Sequence, residues 1–508
     1  MNKRYVLQAS LLGMVVCLAF PSGLRAESIA GKRPNILFIL TDDQGYGDIS
    51  AHGNPVLKTP NLDKLRSEGL RFTDFHVSPT CSPTRSALFT GRQEFKNGIT
   101  HTILERERLT LKATTLAQIL QTSGYTTGIF GKWHLGDEAE YQPNRRGFDE
   151  VYIHGGGGIG QIYPGSCGDA PGNKYFDPVI LHNGKFEKTT GYCTDLFYAQ
   201  ATKWIDSQRQ GDKPFFAYIP SNAPHGPYIA KREDEALYEG KDLKKETESF
   251  FGMLHNIDQN VGKLLAKLDE WGIAKNTLVV FMNDNGGTAG VSVFNAGMHG
   301  SKGSPWLGGT HASSFWRLPG TIQPADCAGL AAHIDFFPTI AEIAGAKIPD
   351  DVKPQVEGRS LVPLLDNPRA AWADRTLITH LGRWPKFADP NESKYKACSV
   401  RNTRWHLVSE NGDAKPNWEL FELKSDYAEK TDVAAQHPEV VKELTAAFDK
   451  FWSEAVPLMV NENVVGPTIN PFQELYYKQF GGSPTAEDLS KMDPKSGPAA
   501  PKPSQRKN

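Results

Sequence analysis

The stretch Pro34-Asn35-Ile36-Leu37-Phe38-Ile39-Leu40-Thr41-Asp42-Asp43-Gln44-Gly45-Tyr46-Gly47-Asp48 decides the architecture. From Asn35 to Leu40 it carries no charge, and it is bounded by a proline and a polar cluster. A continuous apolar run of that kind suits a strand buried on both faces, the pattern of parallel sheets. Similar short runs occupy 126–130, 214–219 and 277–282. Between them lie amphipathic stretches at 59–68 (with Pro60 at a first-turn position), 114–122, 194–207 and 333–344. The longest, 246–271, places Leu254, Ile257, Val261, Leu264, Leu265 and Leu268 at helical spacing. Alternating strands and helices predict an α/β fold, a large, mainly parallel sheet sandwiched by helices.

The pattern changes near residue 370. Four short strand-like runs (375–380, 395–402, 404–409 and 418–422) follow without helices between them, and one helical stretch covers 438–452. They predict a smaller C-terminal antiparallel sheet plus helix. The expected division is 27–370 for a catalytic domain and 371–480 for a C-terminal α+β subdomain, with 481–508 as a disordered tail rich in Pro, Lys, Ser and Gly. Internal repeats are not evident.

The 508 residues are 39% hydrophobic and 22% charged, enough to build a large core, which excludes disordered and collagen-like classes. With 56 Lys and Arg against 58 Asp and Glu, no basic field points to nucleic acid. Met1-Asn2-Lys3-Arg4 is positive, 5–20 is mostly apolar, and 21–26 ends on Ala26. This reads as a signal peptide over 1–26, hence export to the periplasm or the extracellular space without a stable membrane anchor; an uncleaved anchor is the alternative. Losing Cys17 with that segment leaves five cysteines, an odd number that singles one out. The other four pair in an oxidising compartment, Cys167 with Cys193 first, or remain separate buried thiols.

In an open parallel sheet, ligands bind beyond the carboxyl ends of the strands. Four of the runs above end in polar clusters there: Asp42-Asp43, Lys132-Trp133-His134, Asn222 to His225, and Asn283-Asp284-Asn285. Adjacent carboxylates repel unless a cation lies between them. Asp42 and Asp43 alone fit a solvated loop as well; with Asp284 and Asn285 they form an all-oxygen set suited to Ca²⁺, or less well Mg²⁺, rather than Zn²⁺. In Cys81-Ser82-Pro83-Thr84-Arg85-Ser86-Ala87-Leu88-Phe89-Thr90-Gly91-Arg92, Pro83 suits a first helical turn. Cys81 then stands at a helix N-terminus, where backbone N–H groups and Arg85 favour an anion. A low-pKa thiolate nucleophile and a buried free cysteine are the two plain readings.

The order DDQGYGD, CSPTRSALFTGR, GKWHLG, APHGP, NDNGG and HGSKGSPWLGG resembles the type I sulfatases of the alkaline-phosphatase-like superfamily, over residues 34–452. The resemblance implies a sulfate monoester hydrolase. Cys81 would be converted by a separate maturation enzyme to Cα-formylglycine, whose hydrate is the nucleophile. Asp42, Asp43, Asp284 and Asn285 would hold one divalent ion, usually Ca²⁺, with the Cys81 position completing its shell. Arg85 would stabilise the hydrate, and Lys132 and Lys302 would bind sulfate oxygens. His225, with Lys302, would protonate the leaving alcohol, and His134 would take a proton in the later step. His154, before the glycine run 155–158, falls where relatives place a further substrate contact.

Export and the family's range point to a sulfated polysaccharide or oligosaccharide, with specificity residing in loops such as 154–192 and in the C-terminal subdomain. An arylsulfatase, or a formylglycine-dependent phosphonate or phosphodiester hydrolase, is the alternative; a catalytically dead glycan-binding protein would need a lost essential residue, and none is missing. His311 departs from an Arg frequent in relatives. His299 is a second-layer or plain loop histidine, Trp133 reads as packing, and Trp306 reads equally as packing or as a sugar platform.

Overall fold

The computed structural model describes residues 27–163, 166–486 and 489. The segment 1–26 and most of 481–508, including the predicted signal peptide and tail, lie outside the described residues. Among the described residues no helix is long and apolar enough to cross a membrane.

Five parallel strands form the centre of a ten-stranded sheet: β1 (Asn35–Thr41), β2 (Thr126–Lys132), β3 (Glu150–His154), β4 (Phe215–Pro220) and β5 (Thr277–Asn283). Their spatial order is β5-β1-β4-β2-β3, all pairs parallel. Outside β5 lie Ser314–Arg317, Leu70–Phe72 and Ala325–Cys327; outside β3 lie Val179–His182 and Lys185–Lys188, both antiparallel. The expected mainly parallel sheet is therefore present, with antiparallel strands at its margins.

Every residue of β1 is buried because both faces are covered. Ile36, Phe38 and Leu40 point to one layer and Leu37 and Ile39 to the other, the two-residue alternation of a strand. The first layer is capped by α2 (Cys81–Thr90), α3 (Leu116–Thr122) and α6 (Phe336–Ile343). The second is capped by α1 (Pro60–Ser67), α4 (Cys193–Gln208) and α5 (Lys245–Glu270). Burying one Phe or Leu in such a layer contributes roughly 1.5–3 kcal/mol.

A four-stranded antiparallel sheet follows (Leu377–His380, Lys396–Arg401, Trp405–Asn411 and Glu419–Glu422), covered by α7 (Pro438–Ala455) through Leu444, Phe448 and Trp452. The chain then returns to the large sheet, where helix Pro471–Phe480, not anticipated above, sets Phe472 and Tyr476 against Phe186.

The pairing of Cys167 with Cys193 is not formed. Cys81, Cys167, Cys193, Cys327 and Cys398 are all free and buried. Cys167 packs with Ile103 and Leu104 with its Sγ 3.3 Å from His134 Nε2, while Cys193 begins α4 in the second core layer and its thiol donates to Asn222 Oδ1 at 3.5 Å, so the two thiols occupy separate sites.

Candidate active site

Strand register assembles the site. Leu40 of β1 lies opposite Pro220 on one side and Met282 on the other, so Asp42, the turn after β4 and Asp284 leave the sheet side by side. Asp284 N–H donates to Thr41 O (3.0 Å) and Asp42 N–H to Ala223 O (3.2 Å), tying the three exits together. A side chain at Gly45 would meet Gly287 Cα at 2.7 Å, so only glycine lets the two carboxylate-bearing loops touch.

Cys81 opens α2 as predicted and lies within 4.8 Å of carboxylate oxygens of Asp42 and Asp43. Burial pushes the Cys81 thiol above its ordinary pKa, more than Lys132 lowers it. Arg85 is fully enclosed. Its Nη2 donates to Asp284 Oδ2 at 2.8 Å and its Nη1 to Lys132 O at 3.0 Å. Lys132 Nζ donates to Asp42 Oδ2 at 2.5 Å, and Lys302 Nζ to Asp43 Oδ2 at 2.6 Å. Burial alone would raise Asp42, but Lys132, His225, Arg85 and Lys302 hold its carboxyl well below the carboxylate range. Asp284 goes the other way, raised by burial and by the like charge of Asp42.

A divalent cation fits this donor set. Asp42 Oδ1 and Asn285 Oδ1 are buried with no hydrogen-bond partner, and Asn285 Nδ2 donates to Asp43 Oδ1 at 3.0 Å. Unpaired buried oxygens are costly unless something positive meets them, and oxygen-only donors select a hard ion.

Two histidines face the same space with their tautomers set by carbonyls. His225 Nδ1–H donates to Gly226 O at 2.8 Å, leaving Nε2 toward Asp43, 3.7 Å from its Oδ2. His134 Nε2–H donates to Thr102 O at 2.7 Å, leaving a buried, unpartnered Nδ1. Burial lowers both pKa values, that of His134 strongly.

Cys81, His134, His225 and Lys302 share a cavity of about 220 Å³ with His101, Gln161, Tyr163 and Arg383. None of those last four carries a sequence motif, though Gln161 and Tyr163 fall in the segment 154–192 and Arg383 in the C-terminal part. They meet only through tertiary folding.

His154 is different. It is fully enclosed, stacked on Phe197 and 3.8 Å from Asp169 Oδ2, and does not line the cavity that contains Cys81. Trp133 packs as expected, its Nε1–H on Tyr141 O. Trp306 is buried between His299 and Phe421, which makes it a packing residue. His311 donates from Nε2 to Thr73 O and accepts from the Tyr427 hydroxyl, a structural contact.

The family model described as Sulfatase matches residues 34–346, and one described as N-sulphoglucosamine sulphohydrolase, C-terminal, matches 311–454. The chain belongs to the sulfatase family. Arylsulfatase A of Bos taurus is 35% identical over 372 residues, 68% of this chain and 70% of that protein. N-acetylgalactosamine-6-sulfatase of Rattus norvegicus is 31% identical over 422 residues, 73% and 76%. The crystal structure of Ps i-CgsB superposes with a TM-score of 0.74 at 30% identity, covering 86% of this chain and 96% of that one. The same protein in complex with k-i-k-neocarrahexaose gives 0.72 at 28% identity, covering 90% and 99%. This sulfatase is accordingly a sulfuric ester hydrolase with the alkaline-phosphatase-like fold.

Proposed function

We propose that this sulfatase is exported and removes sulfate from a sulfated saccharide, using Cys81 as the site of a Cα-formylglycine. The observation that carries the reading is one cavity in which Cys81, at the head of α2, meets two carboxylates, Lys302 and His225. The saccharide is supported by relatives named for N-acetylgalactosamine 6-sulfate hydrolysis and by the oligosaccharide complex of Ps i-CgsB. Export is supported by the positive, then apolar segment ending at Ala26, and a maturation enzyme is the partner that the Cys81 motif requires. The catalytic domain is taken as 27–370 and the C-terminal subdomain as 371–480.

Asp42, Asp43, Asp284 and Asn285, with the Cys81 position, would hold Ca²⁺, which when bound polarises the sulfate and favours the ionised nucleophile. The hydrated aldehyde of a formylglycine supplies a nucleophilic hydroxyl and a second one for release. The chain's own groups do the rest. Lys132 and Lys302 bring positive charge to the sulfate oxygens, and the free N–H groups of α2 add to it. His225, its Nδ1–H fixed on Gly226 O, would deliver a proton to the leaving alcohol from Nε2 in its doubly protonated form, which burial opposes and the neighbouring Asp43 carboxylate favours. His134 takes a proton at Nδ1; its lowered pKa keeps that nitrogen unprotonated and ready. Arg85, bound to Asp284 and to the Lys132 carbonyl, fixes the carboxylate and the lysine in register.

The test is peptide mass spectrometry across Cys81 on protein made with a maturation enzyme. Conversion lowers the peptide mass by about 18 Da. A plain thiol under conditions that convert a control sulfatase would remove the mechanism at its first step. N-terminal sequencing of the same protein checks cleavage after Ala26.

A further inference from the structure

Arg383 is a partly buried cation on the wall of the Cys81 cavity. Arg85, Arg106, Arg317 and Arg375 each pair with a carboxylate, respectively Asp284, Glu462, Glu68 and Asp335. Arg383 pairs with none among the described residues. Its Nη2 donates to Thr102 Oγ1 at 3.0 Å, while its Nε is shut away from solvent without a partner. A guanidinium nitrogen shut off from water with neither a partner nor a counter-charge is held at a cost. Its backbone adds to the cost, since Arg383 has φ 63°, in the left-handed region.

The surroundings hold it there. Arg383 N–H donates to Thr100 O at 3.0 Å, and a side chain at Gly382 would come within 2.0 Å of the same oxygen, so the loop after Leu377–His380 lies flat on the 99–107 segment. Arg106 donates from Nη1 to Trp384 O at 2.7 Å and lies over the Trp384 ring, and Lys386 pairs with Glu105. A strained, unpaired cation fixed on both sides is preorganised for an anion that the protein does not itself contain.

That cation lines the cavity that contains Cys81. His101 sits beside it there. Its Nδ1 accepts from Thr102 N–H and Ile103 N–H, so when neutral it carries its proton on Nε2 as a further donor. Gln161 Oε1 accepts from Gly158 N–H, which leaves its amide N–H₂ as a donor as well. The sulfate to be cleaved already has Lys132, Lys302 and the α2 N-terminus for its charge.

We infer that Arg383, with His101 and Gln161 beside it, forms a second anion subsite, which binds a sulfate or carboxylate carried by the saccharide in addition to the ester that is cleaved. The inference rests on the sulfatase reading of the Cys81 end. It makes the preferred substrate a multiply charged saccharide, and Arg383 a specificity residue contributed by the C-terminal part of the chain.

The experiment compares matured, Ca²⁺-loaded wild type with Arg383→Gln and Arg383→Lys. Substrates are 4-nitrophenyl sulfate, neocarrabiose bearing one or two sulfates, and a sulfated chondroitin disaccharide with its uronate intact or reduced to the alcohol. Wild type should prefer the more highly charged member of one pair, and the pair that shows the preference names the anion. For that substrate Arg383→Gln should lower kcat/KM by roughly 10- to 100-fold, mainly through KM, as expected for one lost charge-assisted contact. The loss on 4-nitrophenyl sulfate should stay within about 3-fold, and Arg383→Lys should restore part of the preference. An equal loss on every substrate, or no preference in wild type, overturns the subsite. If wild type hydrolyses no sulfate ester at all, the sulfatase reading fails instead. Calorimetric titration of the same pairs then decides the subsite, and equal affinities in wild type and Arg383→Gln overturn it. Melting curves of both variants exclude misfolding as the cause.

Discussion

The carboxylate end of the cavity hangs from the ends of parallel strands, whereas its rim is assembled from loops far apart in the chain. Asp42, Asp284 and the turn carrying His225 are aligned by the pairing of Leu40 with Pro220 and Met282, and each follows a fully buried apolar strand. Arg383, His101 and Gln161 belong to segments with no shared register, joined by contacts such as that of Gly382 with Thr100. The first arrangement fixes chemistry common to a family, because sheet geometry cannot drift without loss of the core. The second can change by altering one loop at a time, which suits recognition of the substrate.

The largest expected effects belong to the strand-borne end. Cys81→Ala should lower kcat/KM on 4-nitrophenyl sulfate by at least about 10⁴-fold, since Cys81 is the thiol set beside the Asp42 and Asp43 carboxylates, and Cys167 on the same cavity wall is not. Asp42→Asn should show a similar loss and also abolish the rise in melting temperature that Ca²⁺ gives wild type, read by calorimetry with and without chelator. A Cys81→Ala protein with undiminished turnover would break the contrast at once, because the strand ends would then not define the chemistry.

Smaller losses separate the two histidines. His225→Ala should reduce kcat by about 10²- to 10⁴-fold on saccharide sulfates, whose alcohol leaving groups need a proton. On 4-nitrophenyl sulfate, whose phenolate leaves more readily, the loss should be clearly smaller. His134→Ala should lower both substrates alike, because its proton is taken after the alcohol has gone. Equal leaving-group dependence in the two variants would show that the assignments of Nε2 in His225 and Nδ1 in His134 are wrong.

The two ends also differ in how far the sequence reveals them. Runs such as Asn35 to Leu40 announce both-face burial, and their polar sequels must then fall at one edge of the sheet; topology forces that whatever the loops do. The cluster of Asp42, Asp43, Asp284 and Asn285 beside Cys81 was legible for this reason and through the motif order. Arg383 was not legible, because an arginine after a short strand has no local signature, and its isolation from carboxylates exists only in three dimensions. His154 shows the converse. Its expected role came from its place before the glycine run 155–158, which says nothing of where the ring points, and the ring stacks on Phe197. The expected disulfide fails for a third reason: export raises the prior for disulfides, yet Cys167 and Cys193 are buried in separate sites of the fold and remain free.

The rim has a further property that the strand-borne end lacks, a support that depends on pH. Glu107 is buried at the end of the rim segment 99–107, and burial, with the like charge of Asp137, pushes its pKa up to about 8 from an ordinary 4.5. Asp137 is itself raised to about 7 by burial, while accepting from Gly168 N–H at 2.6 Å and Asn470 Nδ2 at 2.8 Å. Because the folded chain holds the Glu107 proton more tightly than the unfolded chain does, this group does not diminish stability below about pH 4.5. Its contribution is lost progressively as pH rises toward 8, and changes no further above that. Glu107→Gln removes the titration while keeping the shape. The melting temperature of Glu107→Gln relative to wild type should therefore climb between pH 5 and 8 and level off beyond. Parallel curves across that range would show that Glu107 titrates normally and that the rim is no more sensitive to pH than the strands beneath it.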